Sequence, residues 1–346
     1  MLLLGFLLAL FIYRFNENDA TLEHFALLQS DGASSSGAYD YSLAIPQGTT
    51  PNLPSIRVDD SKVETSRTTA HVVYGGKGDK VHLGGFTDID LQGISPAVWK
   101  AMVQDYGIKT LIDLGCGRGI STSWFLTHGV DATCVEGSHD AVLQTMMPIE
   151  RVTEHDFSRG PWWPAKTQDA VWCVEFLEHV GVNFHQNYLP VFRKSALIFA
   201  THSNWGGWHH VEVHTTKWWI RKMQMYGFQY SEEMSLEIRG IASKEHNNKT
   251  ASVIVEDEAY NAQHIWTTMM VFINPAVSAL PEHAHLFSGI GCFQSLGGEK
   301  GIVNKDCDGE NESKLPPEYY PLVLTEQQDE DWVALVKKNI AIKQSE

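Results

Sequence analysis

The stretch "LIDLGCGRGIST", Leu111 to Thr122, decides the fold. It begins inside a short apolar run, Thr110 to Leu114, and passes through Gly115, Gly117 and Gly119 into the helix-forming segment "STSWFLTHG". Glycine adopts positive φ without steric cost and lets a ligand approach the backbone, and the first turn of a helix offers unpaired N–H groups. A strand, a glycine turn and a helix in that order form a turn for a nucleotide-type cofactor. The spacing is G-x-G-x-G, with Ile120 where the last glycine of a dinucleotide G-x-G-x-x-G would fall. That departs from the pyrophosphate cradle of nicotinamide enzymes.

Strand-like runs recur downstream: Asp131 to Glu136, Arg151 to Asp156, Asp169 to Glu175 and Ala196 to His202. Helix-capable segments separate them, including "TTKWWIRKMQMYGF", which Gly227 is placed to stop. This alternation is the pattern of an α/β fold on a doubly wound, mostly parallel sheet. "SLEIRG" (Ser235 to Gly240) and "HIWTTMMVFIN" (His264 to Asn274) are two further strand candidates. The chain divides into an apolar leader over 1–15, a Ser/Gly/Pro-rich linker over 16–70, a catalytic domain over 71–275 and a C-terminal extension over 276–346. The extension carries "HAHLF", read as incidental, and ends in "DEDWVALVKKNIAIKQ", which fits one amphipathic helix.

A chain of 346 residues, 43% hydrophobic, buries a sizeable core. Its formal net charge of −16 disfavours nucleic acid as a partner, because phosphate binding needs clustered Lys and Arg. A small-molecule or glycan acceptor fits better. Cys116, Cys134 and Cys173 lie in or beside core strands and are expected to be reduced, whereas Cys292 and Cys307 could pair in an oxidising compartment. The leader "MLLLGFLLALFIYRF" is shorter than the roughly 20 residues that span a bilayer comfortably. It resembles a signal peptide or signal anchor, which suggests membrane attachment in the secretory pathway or Golgi; a cytoplasmic location is the alternative. Sequons at Asn248 and Asn311 are compatible with a luminal site.

"LIDLGCGRG" resembles motif I of the class I S-adenosylmethionine-dependent methyltransferases, and the likeness extends from about Lys109 to Ile273. It implies a seven-stranded Rossmann-like sheet with S-adenosyl-L-methionine as cofactor. Asp113, Gly115, Cys116, Gly117 and Gly119 would form the cofactor turn. Glu136 and Gly137, at the end of the second run, would face the ribose hydroxyls, and Asp156 with Phe157 would face the adenine. Glu175 would close the cleft from the fourth run.

The fourth run ends in "VEFLEHV", with Glu175, Glu178 and His179 in five residues. Hydrated rim side chains, or acids favouring a helix N-terminus, would account for them simply. E-x-x-E-H also offers two oxygen donors and an imidazole for Mg²⁺, Mn²⁺ or Zn²⁺. The loop after the fifth run, "THSNWGGWHHVEVHTTKWW", supplies four histidines close by. Here the chain resembles the metal-dependent 2′-O-methyltransferases of small RNAs and the ubiquinone-pathway O-methyltransferases. That resemblance implies Glu175, Glu178, His179 and His214 as metal ligands, with Trp218 beside His214 and His210 competing for the fourth place. His209 or His210 is then the candidate general base. The favoured function is metal-assisted O-methylation; RNA ribose 2′-O-methylation, a nicotinamide-dependent oxidoreductase and a non-catalytic cofactor binder are the rivals. Lys80, His82 and Phe86, in a glycine-rich stretch before the first strand, are candidates to touch cofactor or acceptor, as are Trp205 and Trp208.

Overall fold

Seven strands form one sheet in the order β3-β2-β1-β4-β5-β7-β6. They are β1 (Thr110–Leu114), β2 (Asp131–Glu136), β3 (Val152–Glu154), β4 (Gln168–Cys173), β5 (Ser195–Ala200), β6 (Gln229–Ser231) and β7 (Met270–Ile273). The structure is a computed structural model that describes residues 89–207, 209–247, 253–255, 258–286, 292–295, 302–305 and 320–343. Strands β1 to β5 pair in parallel, and β7 runs antiparallel to both β5 and β6. The order reverses between β1 and β4, the switch point above which open α/β sheets bind ligands.

The central strands β1, β4 and β5 are largely apolar and buried because both faces are covered. Leu111, Ala170, Trp172, Leu197 and Phe199 point to one core, which also holds Trp99 and Trp124. Their neighbours Ile112, Val171, Cys173 and Ile198 point to the other, with Tyr188, Phe192 and Trp219. The covering helices are α1 (Pro96–Gln104), α2 (Ile120–Thr127), α3 (His139–Leu143), α4 (His185–Arg193), α5 (Thr216–Met225), α6 (Glu232–His246), α7 (Gln263–Thr268), α8 (Pro275–Ser278) and α9 (Glu326–Lys343). The expected doubly wound, mostly parallel α/β architecture is therefore the one observed.

Three expectations need correction. "SLEIRG" lies inside α6: Ser231 caps the helix by accepting from the Met234 N–H, and Ser235, Ile238 and Ala242 bury one helical face. The sixth strand is instead the three-residue "QYS" just before it. "HIWTTMMVFIN" splits, its first half in α7 and only Met270–Ile273 in the sheet. Cys116 and Cys134 form a disulfide, because β1–β2 pairing brings their Cα atoms to 5.7 Å, while Cys173 is free and buried.

Among the described residues after 275, Val277, Leu286, Trp332 and Val336 join the core. His283 is buried and its Nδ1 lies 2.7 Å from Asp169 Oδ1, so "HAHLF" has a structural partner. Trp332 of α9 packs edge-on against Trp99 at 5.8 Å. The leader and linker, Lys80, His82, Phe86, Trp208, Cys307, both sequons and the side chain of Cys292 lie outside the described residues. Among the described residues no helix is long and apolar enough to cross a membrane.

Candidate active site

A cleft of about 670 Å³ opens above the carboxyl ends of β3, β2, β1 and β4. That is ample for a nucleoside-sized ligand, since such sites run to about 300–1,000 Å³. The glycine turn forms its floor. Gly115, Gly117 and Gly119 have φ of 74°, 56° and 83°. A Cβ on Gly115 would meet the Phe176 ring at 2.7 Å, and one on Gly119 would collide with Met147. The turn is thus closed to any side chain at these two positions.

Asp113 is buried at the end of β1 and accepts hydrogen bonds from the Ser121 and Thr122 hydroxyls, which ties the strand to the start of α2. Burial pushes its carboxyl up to about 6, against the lowering effect of those bonds. Glu136 accepts from the N–H groups of Gly117 (2.8 Å) and Ser138 (2.7 Å), so its carboxylate holds the turn from the β2 end. Asp156 accepts from the Ser158 N–H and pairs with Arg159 Nε at 3.1 Å. Phe157 is buried edge-on to Phe176. Asp113, Gly115, Cys116, Gly117, Glu136, Gly137, Asp156, Phe157 and Glu175 all line the cleft, while Gly119 stands behind it as the N-cap of α2.

The end of β4 separates into two groups. Glu175, with φ 52°, turns toward the cleft, where Thr201 Oγ1 accepts from its backbone N–H (2.8 Å) and donates to its Oε1 (3.2 Å). Glu178, His179 and His210 bring one donor atom each to within 4.8 Å of one another. Glu178 is fully buried, its carboxyl has no cationic partner among the described residues, and it lies close enough to Glu175 for the two carboxyls to share a proton. A buried acid pair with no cationic partner must hold a proton or a cation, and the two imidazoles beside Glu178 make this arrangement fit a cation-binding centre. His179 Nδ1 lies 3.2 Å from the His209 carbonyl oxygen, and its ring is edge-on to His210 at 5.0 Å. Burial, then the neighbouring His210, pushes His179 down to about 3, which leaves a neutral ring. Burial raises both glutamates, and the charge of Glu178 raises Glu175 further.

His214 is not in this group. Its Nε2 pairs with Glu212, whose other oxygen accepts from the Val182 N–H, and its ring stacks on Trp218 at 3.6 Å. The loop instead delivers His210, which packs against Gly207; a Cβ there would meet the ring at 2.7 Å. His209, at φ 55°, contributes its carbonyl to His179 and its side chain does not line the cleft. Trp205 is 48% exposed and lines the cleft, as does Val211.

Two cleft residues escape sequence reasoning. His264 of α7 lies with Nε2 3.4 Å from Asp90 and Nδ1 3.4 Å from Glu175. Neither belongs to a motif, and α7 reads as the start of a strand, so no local signal marks them.

A methyltransferase-domain family model matches residues 112–194, the segment from β1 through α4 that carries the turn, Glu136, Asp156 and the β4 end. Among solved structures, the chain is similar to the methyltransferase domain of bacterial CtHen1-C, at 17% identity over 53% of this chain and 97% of that one, with a TM-score of 0.34. It is similar to magnesium protoporphyrin IX methyltransferase from Synechocystis with bound S-adenosylmethionine, at 10% identity over 51% and 72%, TM-score 0.31. It is also similar to an O-methyltransferase of a Brevibacillus brevis multienzyme in complex with S-adenosylhomocysteine, at 14% identity over 39% and 52%, TM-score 0.30. No curated protein matches the chain.

Proposed function

We propose that this chain, whose central domain is that of a class I S-adenosylmethionine-dependent methyltransferase, methylates a hydroxyl group of a small-molecule or glycan acceptor with the help of a divalent cation. The observation that carries this reading is the group Glu178, His179 and His210, whose donor atoms lie within 4.8 Å of one another around a fully buried carboxyl with no cationic partner among the described residues. Two imidazoles and a carboxylate suit Mn²⁺ or Zn²⁺ better than Mg²⁺, which prefers oxygen donors.

S-adenosylmethionine is already an activated methyl donor, so the protein's task is to place an acceptor oxygen in line with the methyl group and to manage its proton. A bound cation would supply a Lewis acid that lowers the pKa of an acceptor hydroxyl. Glu136 and Asp156 hold the nucleoside half through strand ends fixed by the sheet. Phe157 and Phe176 keep water from the adenine side of the cleft. At the mouth, the exposed indole of Trp205 offers a face for a sugar or aromatic ring. His210 lines the cleft and is also the group placed to take the hydroxyl proton; ligation and base catalysis are alternative roles for one ring.

Titration calorimetry with Mn²⁺, S-adenosylhomocysteine and NAD tests the reading on the wild type and on Glu178→Ala with His179→Ala. The expected result is Mn²⁺ binding by the wild type only, with S-adenosylhomocysteine bound by both. Binding of S-adenosylhomocysteine without Mn²⁺ in the wild type overturns the metal-assisted mechanism, and binding of NAD in place of S-adenosylhomocysteine overturns the whole reading.

A further inference from the structure

The cleft has a second wall, which the cofactor residues do not build. Val180, Gly181 and Phe184 follow the end of β4, Val211 follows His210 in the loop after β5, and all four line the cleft. A Cβ on Gly181 would lie 3.9 Å from Val211 Cγ2 and 4.0 Å from Phe184 Cδ2, so both side chains flank the bare glycine and form one apolar surface with it. Val211 is 57% exposed, which leaves this surface open.

Hydrogen bonds hold the two loops in register. The Val211 and Glu212 N–H groups both donate to the Glu178 carbonyl (2.8 and 3.0 Å), and Glu212 Oε2 accepts from the Val182 N–H (2.6 Å). The wall is therefore preorganised, and it adjoins the Glu178, His179 and His210 group, because Glu178 supplies the shared carbonyl and His210 precedes Val211. On its other side His210 is tied to Trp205, whose carbonyl oxygen lies 3.0 Å from the ring Nδ1.

A rigid apolar surface open to a cleft gains free energy when an apolar ligand covers it. The side chains of Val180, Phe184 and Val211 offer no hydrogen-bonding group. A sugar laid against them would bury hydroxyls without partners, and each such loss outweighs the carbon surface covered. A carboxylate or phosphate fares worse. Among the described lining residues the only Lys or Arg is Arg118, and its guanidinium donates to the Gln144 and Asn339 carbonyls. An uncharged aromatic ring meets both conditions, with its hydroxyl toward His210 and its carbon framework against the wall.

We infer that Val180, Gly181, Phe184 and Val211 select the acceptor, and that the acceptor is a phenol, an uncharged aromatic ring that carries the hydroxyl. The inference rests on the methyltransferase reading for the role of this wall and is independent of the cation. It narrows the acceptor to small molecules and sets glycans aside.

Titration calorimetry on metal-free protein loaded with S-adenosylhomocysteine compares para-cresol, para-hydroxybenzoate and methyl glucoside. The wild type is expected to bind para-cresol at least about tenfold more tightly than either of the others, the effect of one buried polar group left without a partner. Val211 is exposed enough for polar replacements to fold, and S-adenosylhomocysteine binding checks that they do. Val211→Ser should weaken para-cresol about threefold by removing apolar contact. Val211→Lys supplies the missing cation and should tighten para-hydroxybenzoate about threefold to fivefold while para-cresol weakens. Methyl glucoside bound as tightly as para-cresol overturns the inference, as does wild-type protein that binds no para-cresol, and so does an unchanged order and ratio of affinities in both Val211 variants. Failure of the wild type to bind S-adenosylhomocysteine would instead overturn the methyltransferase reading.

Discussion

Asp113 shows how one residue serves both fold and site. It ends a buried strand, so its charge is poorly solvated, yet it holds the first turn of α2 through Ser121 and Thr122. Its carboxyl is pushed up to about 6 in the folded chain, against about 3.9 when unfolded. A carboxyl raised in this way takes up a proton on folding below about pH 6. It contributes stability in full below about pH 4 and loses that contribution as pH rises through 6. Urea unfolding is therefore expected to show a fall in stability across pH 4 to 6. Asp113→Asn should remove about 2 kcal/mol of that fall, because the amide still accepts from both hydroxyls but does not titrate. An unchanged slope in the variant would mean that the carboxyl is solvated. Asp113, Glu136 and Asp156 were legible in the sequence because each sits at a strand end, one or two residues from a motif. Asp90 and His264 were not, because only the pairing of the 89–93 segment with α7 makes them neighbours. The same limit explains His214: sequence spacing marks it, but the loop's path gives it to Glu212 and Trp218 and leaves His210 beside Glu178 and His179.

At the scale of elements, the central parallel strands were legible because burial on both faces favours apolar runs, which β1, β4 and β5 have. The antiparallel edge was not. β6 is three residues long and half-exposed, so it leaves almost no pattern, and α6 hides its helical period behind a hydrophobic "SLEI" that alternates like a strand. Asp169 fastens the opposite ends of β1 and β4. Its carboxylate accepts from the N–H groups of Lys109 (2.8 Å) and Thr110 (3.0 Å) and pairs with His283 and His285. Burial alone would raise it, but the bonds from His283, His285 and the Lys109 amide hold it well below the usual carboxylate range. A depressed carboxylate contributes stability that is present above about pH 4 and lost as pH falls below it. Asp169→Asn is expected to cost about 2–3 kcal/mol at pH 7, read as a lower urea midpoint, and to flatten the acid limb of the stability profile. A variant as stable as the wild type would show that the histidines rather than the carboxylate join these elements.

At the scale of the whole molecule, the C-terminal helix α9 is part of the fold rather than a loose tail. α9 crosses α2, and its Trp332 is buried against Trp99 while its indole N–H donates to the Ile120 carbonyl (3.2 Å) and the Ser123 hydroxyl (3.1 Å). Arg118, next to the glycine turn, donates to the Gln144 and Asn339 carbonyls, the latter also in α9. Residues more than 200 positions apart thus support the helix on which the cofactor turn ends. The sequence shows the helix and its apolar stripe, but not the surface it covers, because that surface is built from α1 and α2. Removing this support has two separable parts. Trp332→Ala deletes a fully buried aromatic side chain and is expected to cost about 3–5 kcal/mol. Trp332→Phe keeps most of the apolar contact but leaves the Ile120 carbonyl and Ser123 hydroxyl without the indole donor, at about 1–2 kcal/mol. Thermal melts should place Phe between the wild type and Ala. If α9 were a dispensable extension, both variants would melt with the wild type, because no core contact would be lost in either.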